Sequence, residues 1–366
     1  MHILLPGPTP VPAQVQQAML TPMSDHRGST FQRVQQDVLN RLAELFSAPD
    51  STHVAVLPAT GTGGLEAAVQ NFFEPGDRVL AVQTGLFGQR FADVAEAHGL
   101  AVERLSFPWG SAFDVNAVME RVKGTRGILV THNETSTGVE NPLAELAQKF
   151  SGSQPRPLVV VDSISGVPAL PLPVGHGVDV IVAASQKGFM CPPGLALVVL
   201  SDEARAMLKD SRRGRFYFDL RPYVEGRLPY TPAISLWYGL QAALIMLDEE
   251  GSATRLARHQ FLRDMTRAVG AAGGLELMVE ERWASPTVTA LGLPVDTPPG
   301  DLRRRLELRG LQIAGGLGPW HERVIRIGHV GAVDAGDLAG GLAVLASELP
   351  RPGDALMALK SLEGWQ

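Results

Sequence analysis

The chain has 366 residues, enough for one large core and a second, smaller domain, and its 45% hydrophobic and 19% charged content is that of a globular protein, not a disordered or fibrous one. A net charge of −6 argues against a nucleic-acid surface, and no apolar run approaches the roughly 18–20 residues that span a membrane. With one cysteine, Cys191, no internal disulfide and no cysteine-based metal site is expected, the nine histidines show no ligand spacing, and the opening MHILLPGPTPVP lacks the basic start of a secretory leader, so a cytoplasmic setting fits.

Apolar runs at 53–58, 77–84, 101–107, 126–132, 157–164, 178–185 and 194–200 read as strands. Several are continuous in Val, Ile and Leu, as expected where a sheet is covered on both faces. Between them GLEAAVQNFF (64–73), QRFADVAEAHG (89–99) and PLAELAQKF (142–150) read as helices, and EPGD (74–77) as a turn. The alternation predicts an α/β large domain with a mostly parallel seven-stranded sheet flanked by helices. After about residue 200 the rhythm changes. Long helical patterns occupy 235–251 and 253–274, and strand-like LELMVE (275–280) and TVTALGLP (287–294) come next. A helix at 299–310, a strand at 323–330 and a last helix near 333–349 complete a smaller C-terminal α+β domain. The expected division is an N-terminal segment 1–20, a large domain 21–250 and a small domain 251–366.

In open parallel sheets the ligand site lies at the carboxyl ends of the strands. The predicted strands deliver there PATGTGG (58–64), TGLFG (84–88), THNETSTG (131–138), Asp162 in VVVDSISG and Lys187 in SQKG. Thr60, Gly61 and Thr62 precede a helix, whose free N–H groups suit an anion such as a phosphate; a plain helix cap is the alternative. A nicotinamide-type turn fits less well, because Glu66 stands where its third glycine belongs and the next strand ends without an acid. Only five lysines are present, and Lys187 alone follows a β-type apolar run. Asp162 ends a strand of three valines, where a carboxylate needs a cation or donors, although capping the next turn would also explain it. A lysine amine that condenses with an aldehyde and a carboxylate that holds a pyridinium proton are the protein's share of pyridoxal phosphate chemistry. Phe87 suits ring stacking or the core. Thr135 and Thr137 suit hydrogen bonds to a ring oxygen or a turn cap. Arg326, among apolar strand residues, suits a substrate carboxylate or a structural ion pair. His132 and His329 read as structural.

Taken in order, LPGPTPVP, HRGSTF (26–31), GTGGLEAA, EPGD, GLFGQRF, HNETSTGV, VVVDSISG, SQKGFMCPPG, FYFDL (216–220), PYTPAISLWYGL (229–240), SPTVTAL, IAGGLGP (313–319) and IRIGHVG resemble the class V aminotransferases of the fold-type-I pyridoxal-phosphate superfamily, above all the alanine– and serine–glyoxylate (serine–pyruvate) enzymes. The resemblance covers nearly the whole chain. It implies that Lys187 is the Schiff-base lysine and later moves a proton, and that Asp162 pairs with the pyridine nitrogen. It places Thr60, Gly61, Thr62 and Gln186 at the cofactor phosphate, Phe87 on the ring in place of the commoner tryptophan, and Thr135 beside the cofactor. Arg326 would hold the substrate α-carboxylate, and the N-terminal segment 1–20, Gly7 included, would line the active site, with His26 and Arg27 nearby. Tyr230 and Thr231 would reach the phosphate of a neighbouring subunit, which makes a homodimer with shared sites. The implied reaction moves an amino group from alanine or serine to glyoxylate or pyruvate by a ping-pong route. An aspartate donor, or a lyase or desulfurase of the same fold, is the alternative, and Cys191, four residues after Lys187, is poorly placed for a desulfurase nucleophile.

Overall fold

The computed structural model describes residues 1–152, 155–210 and 215–361; the side chain of Lys209, expected on a helix surface, lies outside the described residues. In chain order the strands are β1 (His2–Leu4), β2 (Val54–Leu57), β3 (Arg78–Gln83), β4 (Ala101–Ser106), β5 (Gly127–Thr131), β6 (Asn133–Glu134), β7 (Val139–Glu140), β8 (Leu158–Asp162), β9 (Val180–Ala184), β10 (Ala196–Leu200), β11 (Glu276–Leu277), β12 (Val288–Gly292), β13 (Leu311–Gly315) and β14 (Val324–Gly328).

All seven expected strands enter one sheet, in the order β2-β10-β9-β8-β5-β3-β4. Its pairs are parallel except at β10, which runs antiparallel to both β2 and β9. The continuous apolar runs have the expected cause. In β8, Val159 and Val161 join the core on one face while Leu158 and Val160 join the core on the other. Because β8 and β9 are direct neighbours, Asp162 and Lys187 leave adjacent strand ends at the carboxyl rim.

A second sheet, β1-β13-β14-β12-β11, packs against the helices Ser252–Ala272 and Ala335–Ala346. Among the elements not expected from the sequence are β13 of this sheet and two that bear on the site. The N-terminal residues His2–Leu4 pair in parallel with Leu311–Ile313, so the start of the chain extends the C-terminal sheet before it turns to the rim. A 17-residue helix, Ser29–Leu45, buries Phe31, Val38, Leu39 and Leu42 along one stripe and packs on the helix Ile234–Glu250. Among the described residues no helix is long and apolar enough to cross a membrane.

Candidate active site

The site is assembled from turns that leave neighbouring strand ends. After β2, Thr60 caps the helix Gly61–Phe72 by accepting the Gly63 N–H at 3.2 Å. Gly61 leaves room for neighbours: a Cβ there would lie 2.6 Å from Ile164 Cδ1, which would have to shift. Thr60 takes the Gly63 N–H, and the remaining N-terminal N–H groups of the helix lie at the rim of the cavity. After β3, Phe87 stands in the first turn of the helix Leu86–Ala97. After β5 comes Thr135, whose Oγ1 donates to Ser165 Oγ at 2.6 Å. Asp162 ends β8, and Gln186 and Lys187 come just after β9.

Thr60, Gly61, Thr62, Phe87, Thr135, Asp162, Gln186 and Lys187 all line one cavity of about 160 Å³, together with Leu65, Arg90, Asn133, Ile164 and Ser165. That volume admits one flat ring and its substituents. A larger cavity of about 430 Å³ lies on the other side of His132, among Leu143, Leu170, Leu256 and Trp283, and holds neither the lysine nor the aspartate.

Burial sets the electrostatics. Asp162 is 4% exposed and accepts a single hydrogen bond, from the Ile164 N–H at 3.0 Å. Burial pushes its pKa up to about 7, the Ile164 bond opposes this, and the charge of Glu134 adds to it. A carboxyl in that state gains from a protonated partner beside it. Burial also lowers the Lys187 amine to about 8, and the Arg326 charge lowers it further. Lys187 Nζ donates to the Pro6 carbonyl at 2.6 Å. Gly7 has φ +129°, and a Cβ there would lie 2.4 Å from both Cδ and Nζ of Lys187, so the N-terminal segment reaches the amine itself. Thr9 fixes that segment: its N–H donates to the Gln186 carbonyl and its hydroxyl to the Lys187 carbonyl, both at 3.2 Å.

An amine held near 8 makes a prediction about cofactor loading. Capture of an aldehyde needs the neutral amine, so the rate of reconstitution of the cofactor-free protein rises with pH through about 8. It gains about tenfold from pH 6 to 7 and levels off above about pH 9. Stopped-flow absorbance on adding pyridoxal phosphate measures it; a rate still climbing at pH 10 would show an ordinary lysine.

Other expected residues sit at the edge or apart. Arg326, on β14, donates from Nε to the Gly315 carbonyl at 2.8 Å and from Nη1 to the Thr135 carbonyl at 2.9 Å, which brings it beside the cavity wall. Tyr230 and Thr231 lie outside this chain's cavity; Tyr230 donates to the Phe216 carbonyl and stacks on Tyr217 at 4.9 Å. His26 and Arg27 line a separate surface hollow with Gly226 to Pro229. His132 shares a hydrogen bond with Ser163 Oγ, and His329 with Thr289 and Pro286; burial lowers them to about 4 and about 3, so both are neutral structural groups.

Sequence reasoning passed over two charged residues. Arg90 lines the cavity, its guanidinium 4.9 Å from the Phe87 ring centre, and it pairs with no acid among the described residues. The i, i+3 spacing from Phe87 on one helix was the available signal. Glu134, fully buried, accepts the N–H groups of Phe87 and Gly88 and both the N–H and the hydroxyl of Ser136. Its signal was a lone acid in the small polar run NETSTG.

Comparison with known proteins places this arrangement. The family described as Aminotransferase class-V matches residues 6–314. An L-aspartate–glyoxylate aminotransferase of Paracoccus denitrificans is 34% identical over 92% of this chain and 88% of its own. A serine–glyoxylate aminotransferase of Hyphomicrobium methylovorum is 34% identical over 93% of this chain and 87% of its own. The crystal structure of a subgroup IV aspartate aminotransferase from Thermus thermophilus superposes with a TM-score of 0.87 at 32% identity, covering 99% of this chain and all of that one.

Proposed function

The chain belongs to the class V aminotransferases and is a pyridoxal-phosphate-dependent transaminase of fold type I, and from that premise we propose that it moves the amino group of alanine or serine to glyoxylate or pyruvate in two half-reactions. One observation carries the reading: a partly buried lysine amine and a buried carboxyl leave adjacent strand ends into a cavity with a helix N-terminus at its other side.

These residues fit the cofactor on their own chemistry. Asp162 holds a proton-hungry carboxyl in a dry wall, and Gln186, whose side-chain NH2 can donate to a phosphate oxygen, lines the same cavity. Pyridoxal phosphate, when bound, supplies an aldehyde for the amino group and a protonated ring that draws electrons from the substrate Cα. Asp162 would hold the ring-nitrogen proton, and the turn at Thr60, Gly61 and Thr62, with Gln186, would hold the phosphate. Phe87 would cover one face of the ring, and Thr135 would face its oxygen substituent. Arg326, already pinned through Nε and Nη1, keeps Nη2 for the substrate α-carboxylate. Lys187 Nζ would attach the cofactor at rest and, once released, take the proton from substrate Cα; its depressed pKa keeps a useful fraction neutral near pH 8. Pro6, Gly7 and Thr9 close over that amine and keep water from it.

A shared-site homodimer is part of the proposal. Phe216 is 83% exposed, Tyr217 and Tyr230 stack beside it, and Phe218 in the same segment lies next to Gly63 of the phosphate turn. An exposed aromatic group of that kind suits a subunit contact. A cytoplasmic location remains the reading of a chain whose only cysteine is buried. A desulfurase reading has little support: Cys191 is outside the cavity wall and burial pushes its thiol up to about 12.

Arg90 favours a second donor class. An unpaired guanidinium beside the ring-stacking position would accept the distal carboxylate of aspartate. The reconstituted protein, assayed with alanine, serine or aspartate and glyoxylate, should form glycine. Arg90→Gln should lower kcat/KM for aspartate about 30-fold or more and leave alanine within about threefold. Failure to form glycine from glyoxylate with any of these donors, and to form alanine from pyruvate with serine or aspartate, would refute the proposed transfer; equal losses for aspartate and alanine would refute the role given to Arg90.

A further inference from the structure

The helix Leu86–Ala97 begins at Gly85, which has no side chain to cap it. A Cβ at Gly85 would lie 2.4 Å from Ser136 Oγ and 2.6 Å from Glu134 Cγ, so both side chains fill the space a local cap would use. They also perform the capping. Ser136 Oγ accepts the Leu86 N–H at 2.9 Å. Glu134 Oε2 accepts the N–H groups of Phe87 at 3.1 Å and Gly88 at 3.0 Å. Glu134 Oε1 accepts from Ser136 N–H at 3.1 Å and from Ser136 Oγ at 2.6 Å.

The first three N–H groups of the helix are thus satisfied by a segment about 50 residues further along the chain. A helix N-terminus favours an anion, and this one is given a fully buried carboxylate. The cost is a buried charge. Burial raises the Glu134 pKa, and the four donors from Ser136, Gly88 and Phe87 oppose that. Capping a surface helix needs no such arrangement, since a serine or aspartate at position 85 would serve. What the arrangement fixes is the first turn, and the side chain in that turn that enters the cavity is Phe87.

We propose that Glu134 and Ser136 are positioning residues that act through Phe87: by capping the helix from outside they hold the aromatic ring against the face of the bound cofactor. The inference rests on the reading of this cavity as the pyridoxal phosphate site. It also explains why Glu134 and Thr135 are consecutive. One short segment sets both the ring above the cofactor and the hydroxyl beside it.

A mutant cycle on cofactor affinity tests this. Ser136→Ala keeps every charge but removes the acceptor for Leu86 and one donor to Glu134. Glu134→Gln puts an amide NH2 among N–H donors and is the stronger variant. Titration of the cofactor-free proteins with pyridoxal phosphate should show Phe87→Leu binding about fivefold weaker, Ser136→Ala about threefold weaker and Glu134→Gln about fivefold to tenfold weaker. Placed in the Phe87→Leu background, Ser136→Ala should add less than about 1.5-fold, because the ring it aims is gone. Melting temperature, tracked in parallel, should fall equally in both backgrounds. If Ser136→Ala costs the same factor with and without Phe87, or leaves the affinity of the otherwise wild-type protein unchanged, the cap is structural only and the proposal is overturned. Should Glu134→Gln fail to fold, Ser136→Ala alone decides. A wild-type protein that binds no pyridoxal phosphate would overturn the underlying site reading instead.

Discussion

Lys187→Ala is expected to lower turnover by about 10⁴-fold or more and to leave a protein that binds pyridoxal phosphate reversibly, so that dialysis strips its yellow colour. The size reflects two losses at one atom. The amine that fixes the aldehyde is removed, and so is the base that takes the proton from substrate Cα. No substitute stands nearby: the remaining described lysine side chains, at 123, 149 and 360, are far from this rim in the fold, and none lines the cavity. The fold should persist, because Lys187 pairs only with the Pro6 carbonyl. Removing a partly buried amine relieves desolvation and costs one hydrogen bond. Turnover within about a hundredfold of wild type, or a variant that keeps its colour through dialysis, would assign the amine to another residue.

Asp162→Asn is the second large effect. An asparagine of the same shape cannot hold a proton on a ring nitrogen, so kcat should fall about 10³-fold while Lys187 keeps the cofactor attached and the protein coloured. The stability of the cofactor-free protein should move the other way. The folded-state pKa of Asp162, about 7, is raised above its ordinary value of 3.8. Its contribution to stability is therefore fully present below about pH 4 and is lost as pH rises through about 7. At pH 8 the cofactor-free asparagine variant should melt no lower than wild type, whereas a carboxylate that served the fold would cost stability when replaced. A drop in kcat of less than about tenfold would remove Asp162 from the reacting centre.

Much of this was legible in the sequence, for reasons that can be named. Strand and helix alternate plainly through residue 200, and a parallel sheet gathers the turns after its strands at one rim. One lysine among five came after a buried run, and one aspartate closed the preceding strand. Those two facts sufficed to seat Lys187 and Asp162 on neighbouring strand ends. β1 was not legible, because three residues carry no period and their partners Leu311–Ile313 lie some 300 positions away. The helix Ser29–Leu45 was legible in its apolar stripe but lay in a stretch read only for motifs. Arg326 was marked by its apolar neighbours; that it holds the Thr135 carbonyl depends on how the two sheets dock. Glu134 reaches N–H groups 46 and 47 positions earlier, a relation that local spacing does not encode. Tyr230 and Thr231 stand outside the cavity of their own chain, so a role for them needs a second copy.

The central claim is that this cavity takes an amino group from an amino acid and keeps it until an oxo acid arrives. The direct measurement is a half-reaction with no acceptor present. The yellow protein is mixed with excess alanine, serine or aspartate, and 2-oxo acid is counted against active sites. One equivalent of 2-oxo acid per site and bleaching of the yellow band are expected, with colour restored on adding glyoxylate and one glycine formed per site. Continuous release of oxo acid and ammonia with the colour unchanged, or no oxo acid from any donor, would contradict it.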